Sequence, residues 1–174
     1  SSYHKDFKSS RYGKGPLPAT FALSMSSVTG NVAFGKSVGA LPDGRKATLP
    51  VNNGVSPANG TEKQGPTAVI NSEGKLPSCW CQKGTIFNMR LTPETLKTPE
   101  GRNRALGLVK SHFKNNQFHI QFNVLGDETL REAQKNPEQY QDLMVRISGY
   151  SAFFTPLNEE LQQDVIDRMK FDFK

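Results

Sequence analysis

Few residues of this chain stand at spacings that chemistry requires. Cys79 and Cys81 are separated by Trp80 alone. A bridge between them would close a tight, strained ring, so reduced thiols in a cytoplasmic protein are the simpler reading. Two sulfurs without nearby histidines also fall short of a closed zinc set. His112 is expected on an apolar helix face as a core residue, His119 on the polar side of a strand, and His4 stands in a polar, Gly/Pro-rich stretch. The remaining candidate is Gly149. It lies within Val145-Arg146-Ile147-Ser148-Gly149-Tyr150-Ser151-Ala152-Phe153-Phe154, with no Asn, Asp or Pro beside it to mark an ordinary turn. An isolated glycine in such a run ordinarily marks a bulge or a close backbone approach.

The residues from Arg146 to Phe154 resemble the signature loop of the glycyl radical enzymes, the family of pyruvate formate-lyase and glycerol dehydratase. The shared pattern is an Arg, a branched apolar residue, a small residue, then Gly-Tyr. Other segments resemble the family in the same order: Phe34 to Lys46 with its Leu41-Pro42-Asp43-Gly44-Arg45 loop, Asn53 to Pro57, Gly65 to Val69, His119 to Val124, and Thr129 to Lys135. The resemblance implies that Gly149 stores an unpaired electron, with Arg146, Ser148 and Tyr150 supporting its loop. A Cα radical is stabilised when planar and conjugated with both flanking amides. A Cβ would crowd that plane, and glycine alone lacks one. The radical must also be kept from oxygen and water, and Ile147, Phe153 and Phe154 are expected to bury it.

The resemblance further implies a partner, an S-adenosylmethionine-dependent iron–sulfur activating enzyme that removes hydrogen from the glycine. The family's thiyl cysteine lies hundreds of residues before that glycine, with an acid/base Glu two residues after the cysteine. Cys81 precedes Gly149 by about 70 residues, far short of a domain-sized interval, so neither cysteine matches. The chain opens on Ser1 and is therefore expected to be a fragment, a processed product or a trimmed chain. Its partners would then include the remainder of a parent enzyme or a catalytic subunit, and small accessory subunits. No bound cofactor and no metal site are expected. The segment Thr155 to Arg168 and Cys79-Trp80-Cys81 look most like the fumarate-adding branch typified by benzylsuccinate synthase, which implies addition of a hydrocarbon to fumarate. The alternatives are another family member (a formate acetyltransferase, dehydratase or decarboxylase) or a stand-alone radical subunit.

The resemblance also sets the expected fold class: α/β, the C-terminal part of a ten-stranded α/β barrel carrying a glycyl radical loop domain. Residues 1–95 would supply late barrel elements and wrapping loops, and residues 96–174 the radical domain. Read from the residues themselves, a short strand is expected near Thr20 to Met25, a short helix or strand at residues 66–71, and a strand from Gly84 to Leu91. A helix should run from Thr98 to Asn115, since Thr98 is a cap and Pro99 suits a first turn. Its apolar face would be Ala105, Leu108, Val109, His112 and Phe113. Phe118 to Val124 alternates, which predicts an apolar face of Phe118, Ile120, Phe122 and Val124 and a polar face of His119, Gln121 and Asn123. A short helix should run from Asp127 through Ala133, a further helix from Asn136 through Leu143 or beyond, and a last helix should follow Asn158 with Leu161, Val165, Ile166 and Met169 as its stripe.

Residues 26–75 are dense in turn chemistry, such as Asn52-Asn53-Gly54 and Ser56-Pro57-Ala58-Asn59-Gly60. They are expected to wrap over a scaffold, anchored by Val38, Leu41, Val51 and Val55. Only 35% of residues are hydrophobic, which is low for a self-sufficient core. The net charge of +6 would also suit a basic, non-enzymatic binding module. However, the cations at Lys97, Arg102, Arg104, Lys110 and Lys114 are mixed with apolar helix residues and lack the interleaved aromatics of a nucleic-acid platform. No nucleic acid is therefore expected as a partner. No apolar run approaches the roughly 20 residues that a membrane helix needs, so no membrane partner is expected either.

Overall fold

The computed structural model describes residues 23–171 apart from Gln82 and Met169. His4, most of the strand expected near Thr20, and Met169 of the expected last stripe lie outside the described residues. The elements run α1 (Gly30–Ser37), α2 (Pro66–Glu73), β1 (Asn88–Leu91), α3 (Pro93–Lys97), α4 (Pro99–Lys114), β2 (Gln121–Val124), α5 (Asp127–Lys135), β3 (Met144–Arg146), β4 (Ser151–Phe153), α6 (Glu159–Asp167) and β5 (Lys170–Phe171). Single turns of 3-10 helix lie at Ser78–Trp80 and Pro137–Tyr140. The second replaces the α-helix expected after Asn136.

Strand β1 is the centre of a three-stranded parallel sheet in the order β2-β1-β5, with Asn88 opposite Gln121 and Arg90 opposite Lys170. Parallel neighbours need a long crossover, and α3 with α4 supplies the one from β1 to β2. Strands β3 and β4 form a separate antiparallel hairpin. The arrangement is α/β, and the described residues do not close a ten-stranded barrel.

Helix α4 begins where its cap chemistry places it. The Thr98 side chain accepts from the Gly101 N–H at 3.0 Å, and Pro99 needs no donor in the first turn. Its buried residues Leu108 and His112 face β1 and α2, in a core of Val69, Ile70, Phe87, Met89 and Leu91. The His112 ring stacks on Phe87 at 5.5 Å between centroids, and its Nδ1 lies 3.2 Å from Glu73 Oε2. Phe113, expected on the same face, is 50% exposed. One residue along a helix turns by about 100°, and His112 holds the inward position. A second core joins Leu130 and Ala133 of α5, Val145, Ile147 and Phe154 of the hairpin region, and Val165 and Ile166 of α6. Asn158 caps α6 by accepting from the Leu161 N–H at 2.9 Å.

The stretch before β1 is ordered and wraps as expected, but polar groups do much of the anchoring. Arg45 is buried, and its guanidinium donates to the carbonyls of Val38, Gly39 and Leu49. Asp43 Oδ1 accepts from the Arg45 N–H at 2.9 Å. Of the expected apolar anchors, Val38, Val51 and Val55 are partly buried and Leu41 is exposed. Backbone carbonyls in a loop have no ladder partners, so a fork of cationic donors satisfies them better than a leucine. Helix α1, within this stretch, was not foreseen. Its Gly35 passes so close to Leu49 and Pro50 that a Cβ would collide with their main chain.

Candidate functional site

Arg146 stands opposite Ser151 at the end of the β3–β4 ladder, so Ile147-Ser148-Gly149-Tyr150 forms the hairpin tip. The Ile147 N–H donates to the Tyr150 carbonyl at 2.9 Å and closes the tip. Gly149 takes φ +82°, and a Cβ there would lie 3.1 Å from Ile86 Cδ1. A residue with a side chain would give up about 1–2 kcal/mol in left-handed backbone.

Strand β2 holds this tip, and cover is found on both sides of this stretch: Ile120 and Phe122 pack against the first core, and the polar face is buried as well. Gln121 and Asn123 are buried, whereas Phe118 and Val124 are exposed. The polar face turns inward because its hydrogen-bond partners are there. Asn123 makes a reciprocal pair with Arg146: its Nδ2 donates to the Arg146 carbonyl and its Oδ1 accepts from the Arg146 N–H, both at 2.7 Å. Gln121 Oε1 accepts from the Gly149 N–H at 3.2 Å and from Arg146 Nε at 2.8 Å. Gln121 Nε2 donates to Asn88 Oδ1.

Three further groups fix the loop. The Arg146 guanidinium donates to the Gly149 carbonyl and to Ser151 Oγ, each at 3.2 Å. Ser148 Oγ donates to Asn53 Oδ1 at 2.9 Å, and the same oxygen accepts from Asn88 Nδ2 at 2.9 Å and Ser27 Oγ at 3.3 Å. From behind, Arg168 donates to the carbonyls of Arg146 at 3.0 Å and Ile147 at 2.7 Å while paired with Asp164 at 3.0 Å. Asp164 also accepts from Asn31 of α1 at 3.1 Å.

Gly149, Arg146 and Ser148 are thus gathered into one network. Tyr150 contributes its main-chain carbonyl, and its side chain is 40% exposed. Gln121, Asn123, Asn53 and Arg168 were not singled out in sequence. The alternation at residues 118–124 was the available signal for two of them.

The dry pocket expected around Gly149 is not formed by the described residues, and Gly149 itself is exposed. Ile147 and Phe154 are buried, but they point into the second core below the hairpin, while Phe153 is 47% exposed. A cavity of about 30 Å³ behind the tip is lined by Asn53, Ser56, Asn88, Arg90, Asn123 and Arg168, among others. That volume has room for about one water, not for a substrate.

His119 is half-buried near this network. Burial, then the charges of Arg146 and His112, push its imidazole below the ordinary value. Cys79 is exposed and Cys81 buried, both free. Burial, with Cys79 beside it, pushes the Cys81 thiol up, which makes it a poor nucleophile. Among the described residues no group of three or more His, Cys, Asp or Glu side chains gathers to hold a metal ion. No helix among them is long and apolar enough to cross a membrane. Ser148 Oγ meets an amide oxygen and no base, so the site lacks an activated hydroxyl nucleophile.

The residues that known proteins match include this loop. The family described as "Glycine radical" matches residues 51–155. The chain is 44% identical to "Probable dehydratase YbiW" of Escherichia coli strain K12, over 94% of this chain and 20% of that protein. It is 39% identical to "Trans-4-hydroxy-L-proline dehydratase" of Clostridioides difficile, over 88% of this chain and 19% of that protein. Among solved structures, the glycerol-bound B12-independent glycerol dehydratase from Clostridium butyricum superposes with a TM-score of 0.88 at 42% identity, over 92% of this chain and 20% of that one. The chain therefore spans about a fifth of the length of the relatives it matches.

Proposed function

The chain belongs to the glycyl radical enzyme family, and from that premise we propose that Gly149 is the residue whose Cα carries the unpaired electron. The observation behind this is the hairpin tip. There a glycine at φ +82° is held through both its N–H and its carbonyl, inside the segment the family shares. Arg146 and Ser148 act as the clamps of the loop through their side chains, and Tyr150 through its main chain.

The chemistry is hydrogen-atom transfer. An activating enzyme with a reduced iron–sulfur cluster gives one electron to S-adenosylmethionine, which splits into methionine and a deoxyadenosyl radical. That radical takes one hydrogen atom from Gly149 Cα, leaving deoxyadenosine and the glycyl radical. Gly149 then recovers a hydrogen atom from a cysteine thiol outside this chain, and the resulting thiyl radical starts turnover. We assign that role to neither Cys79 nor Cys81, since neither has a contact with the hairpin tip among the bonds described.

In the complete assembly the chain completes a ten-stranded α/β barrel, with residues 1–95 as late barrel elements and wrapping loops and 96–174 as the radical domain. A catalytic portion or subunit covers the exposed face of Gly149. The free cysteines suit a reducing cytoplasm. For the substrate class, dehydration of a small polyol or hydroxylated compound has the better support, because two of the relatives named above are dehydratases and a third bears that name as probable. None of those relatives is a fumarate-adding enzyme. A stand-alone radical subunit serving a separate catalytic chain uses the same site and the same activation.

The test is oxygen cleavage. After anaerobic activation, air should cut the backbone at Gly149, and mass spectrometry should map the break to that residue. Gly149→Ala should stay whole. Cleavage elsewhere, or none after competent activation, would remove Gly149 from this role.

A further inference from the structure

This inference rests on the reading of Gly149 as the radical carrier and concerns what sets that radical's energy. An electron on Cα is stabilised when nitrogen pushes density toward it and the carbonyl draws density away, a conjugation that Gly149, at φ +82° with its hydrogen in place, gains by flattening once that hydrogen is lost. Both arms of Gly149 end on a partner of the matching sense. Its N–H donates to Gln121 Oε1, which enriches the nitrogen, and its carbonyl accepts from Arg146 Nη2, which polarises the oxygen. Hydrogen bonds to a charged group are the stronger kind.

One side chain governs both arms. Gln121 Oε1 also receives Arg146 Nε at 2.8 Å, so it fixes the guanidinium that reaches the carbonyl. The orientation of the Gln121 amide follows from its neighbours. The Gly149 N–H and the Arg146 Nε–H are donors only, so the atom facing both must be oxygen. Its Nε2 then meets Asn88 Oδ1, and the Asn88 main-chain N–H is itself held by Ser56 Oγ at 2.8 Å. Gln121 is 7% exposed. A strand position so buried is served at least as well by a branched apolar residue, and a buried amide is tolerated only when bonded. The geometry points to Gln121 as a positioning residue that tunes the glycyl radical. By holding the N–H and the Arg146 fork together, it draws spin density off Cα and lengthens the radical's life.

The test activates wild type, Q121L and Q121N anaerobically with an S-adenosylmethionine-dependent activating enzyme. It records the α-proton splitting of the electron paramagnetic resonance doublet and the decay of the signal in a fixed excess of dithiothreitol. Q121L should widen the doublet and shorten the half-life about fivefold, the worth of one hydrogen bond. Should Q121L not fold, Q121N carries the same expectation, since it keeps an amide but draws it back by one methylene. A merely structural role would lower the radical yield while leaving the splitting of the remaining radicals unchanged. Splitting and decay equal to wild type in the folded variants would overturn the tuning role. A wild type that forms no radical under competent activation would instead overturn the assignment of Gly149, and this inference with it.

Discussion

Gly149 differs from an ordinary hairpin glycine in what its amide groups meet. Its N–H and its carbonyl are each held by a side chain, and the residue before it is tied to a third element through Asn53. Asn53 is the most heavily shared acceptor there, taking bonds from Ser148, Asn88 and Ser27 on one oxygen. Asn53→Ala leaves three donors short of an acceptor at a buried position. It should destabilise the protein by about 2 kcal/mol, from the cost of unsatisfied buried groups. Urea denaturation would show this as a lower midpoint with an unchanged slope. The neighbouring Gly54, at φ +60°, adds a steric demand, since a Cβ there would run into the Ile86 carbonyl.

Among the elements, α4 depends most visibly on local chemistry. Thr98 accepts from the Gly101 N–H, and a Cβ at Gly101 would collide with the Thr95 carbonyl where α3 hands over to α4. Thr98→Ala should cost about 1 kcal/mol, read as a fall in melting temperature of a few degrees for a domain of this size. Helices α4 and α6 were legible in the sequence because a cap and an apolar stripe are encoded within a few neighbouring residues. Strand β2 was legible as a strand, with Phe122 packed on the core, but the burial of its polar side was not. Alternation says that two faces differ, and burial follows the partners, which for Gln121 and Asn123 stand 23 to 28 residues further along the chain. Helix α1 was missed because Gly30 and Gly35 suppress any helical signal, and its reason for being helical is the long-range fit of Gly35 under Leu49 and Pro50. The segment from Arg146 to Phe154 was legible as part of the family's shared region through its resemblance to a known pattern. The network around it was not, because none of its acceptors is local.

Over the molecule, two cores meet at the site. One packs α2, α4 and β1; the other packs α5, the hairpin and α6. Buried arginines cross between them. Arg90 of β1 reaches the Ile166 carbonyl at 2.9 Å and pairs with Asp127, and Arg168 holds the back of the hairpin. Burial pulls the Arg90 guanidinium down from its ordinary value, with Asp127 opposing. The same burial acts on His119, whose folded value lies below the ordinary 6.5. The unfolded chain therefore binds a proton there more readily than the folded one, so folding favours neutral His119. Stability should be fully present above about pH 6.5 and decline as pH falls through and below it. His119→Gln should flatten that decline, as measured by urea midpoints from pH 7.5 to 5. An unchanged slope would show that other groups carry the acid sensitivity.

The most direct test of the central claim is the electron paramagnetic resonance spectrum of the protein after anaerobic incubation with an S-adenosylmethionine-dependent activating enzyme. A doublet split by one α-proton, collapsing to a singlet when glycine is deuterated at Cα and absent in Gly149→Ala, is the predicted result. A doublet that persists in Gly149→Ala, or a silent spectrum under conditions that activate a related glycyl radical enzyme in parallel, would contradict it.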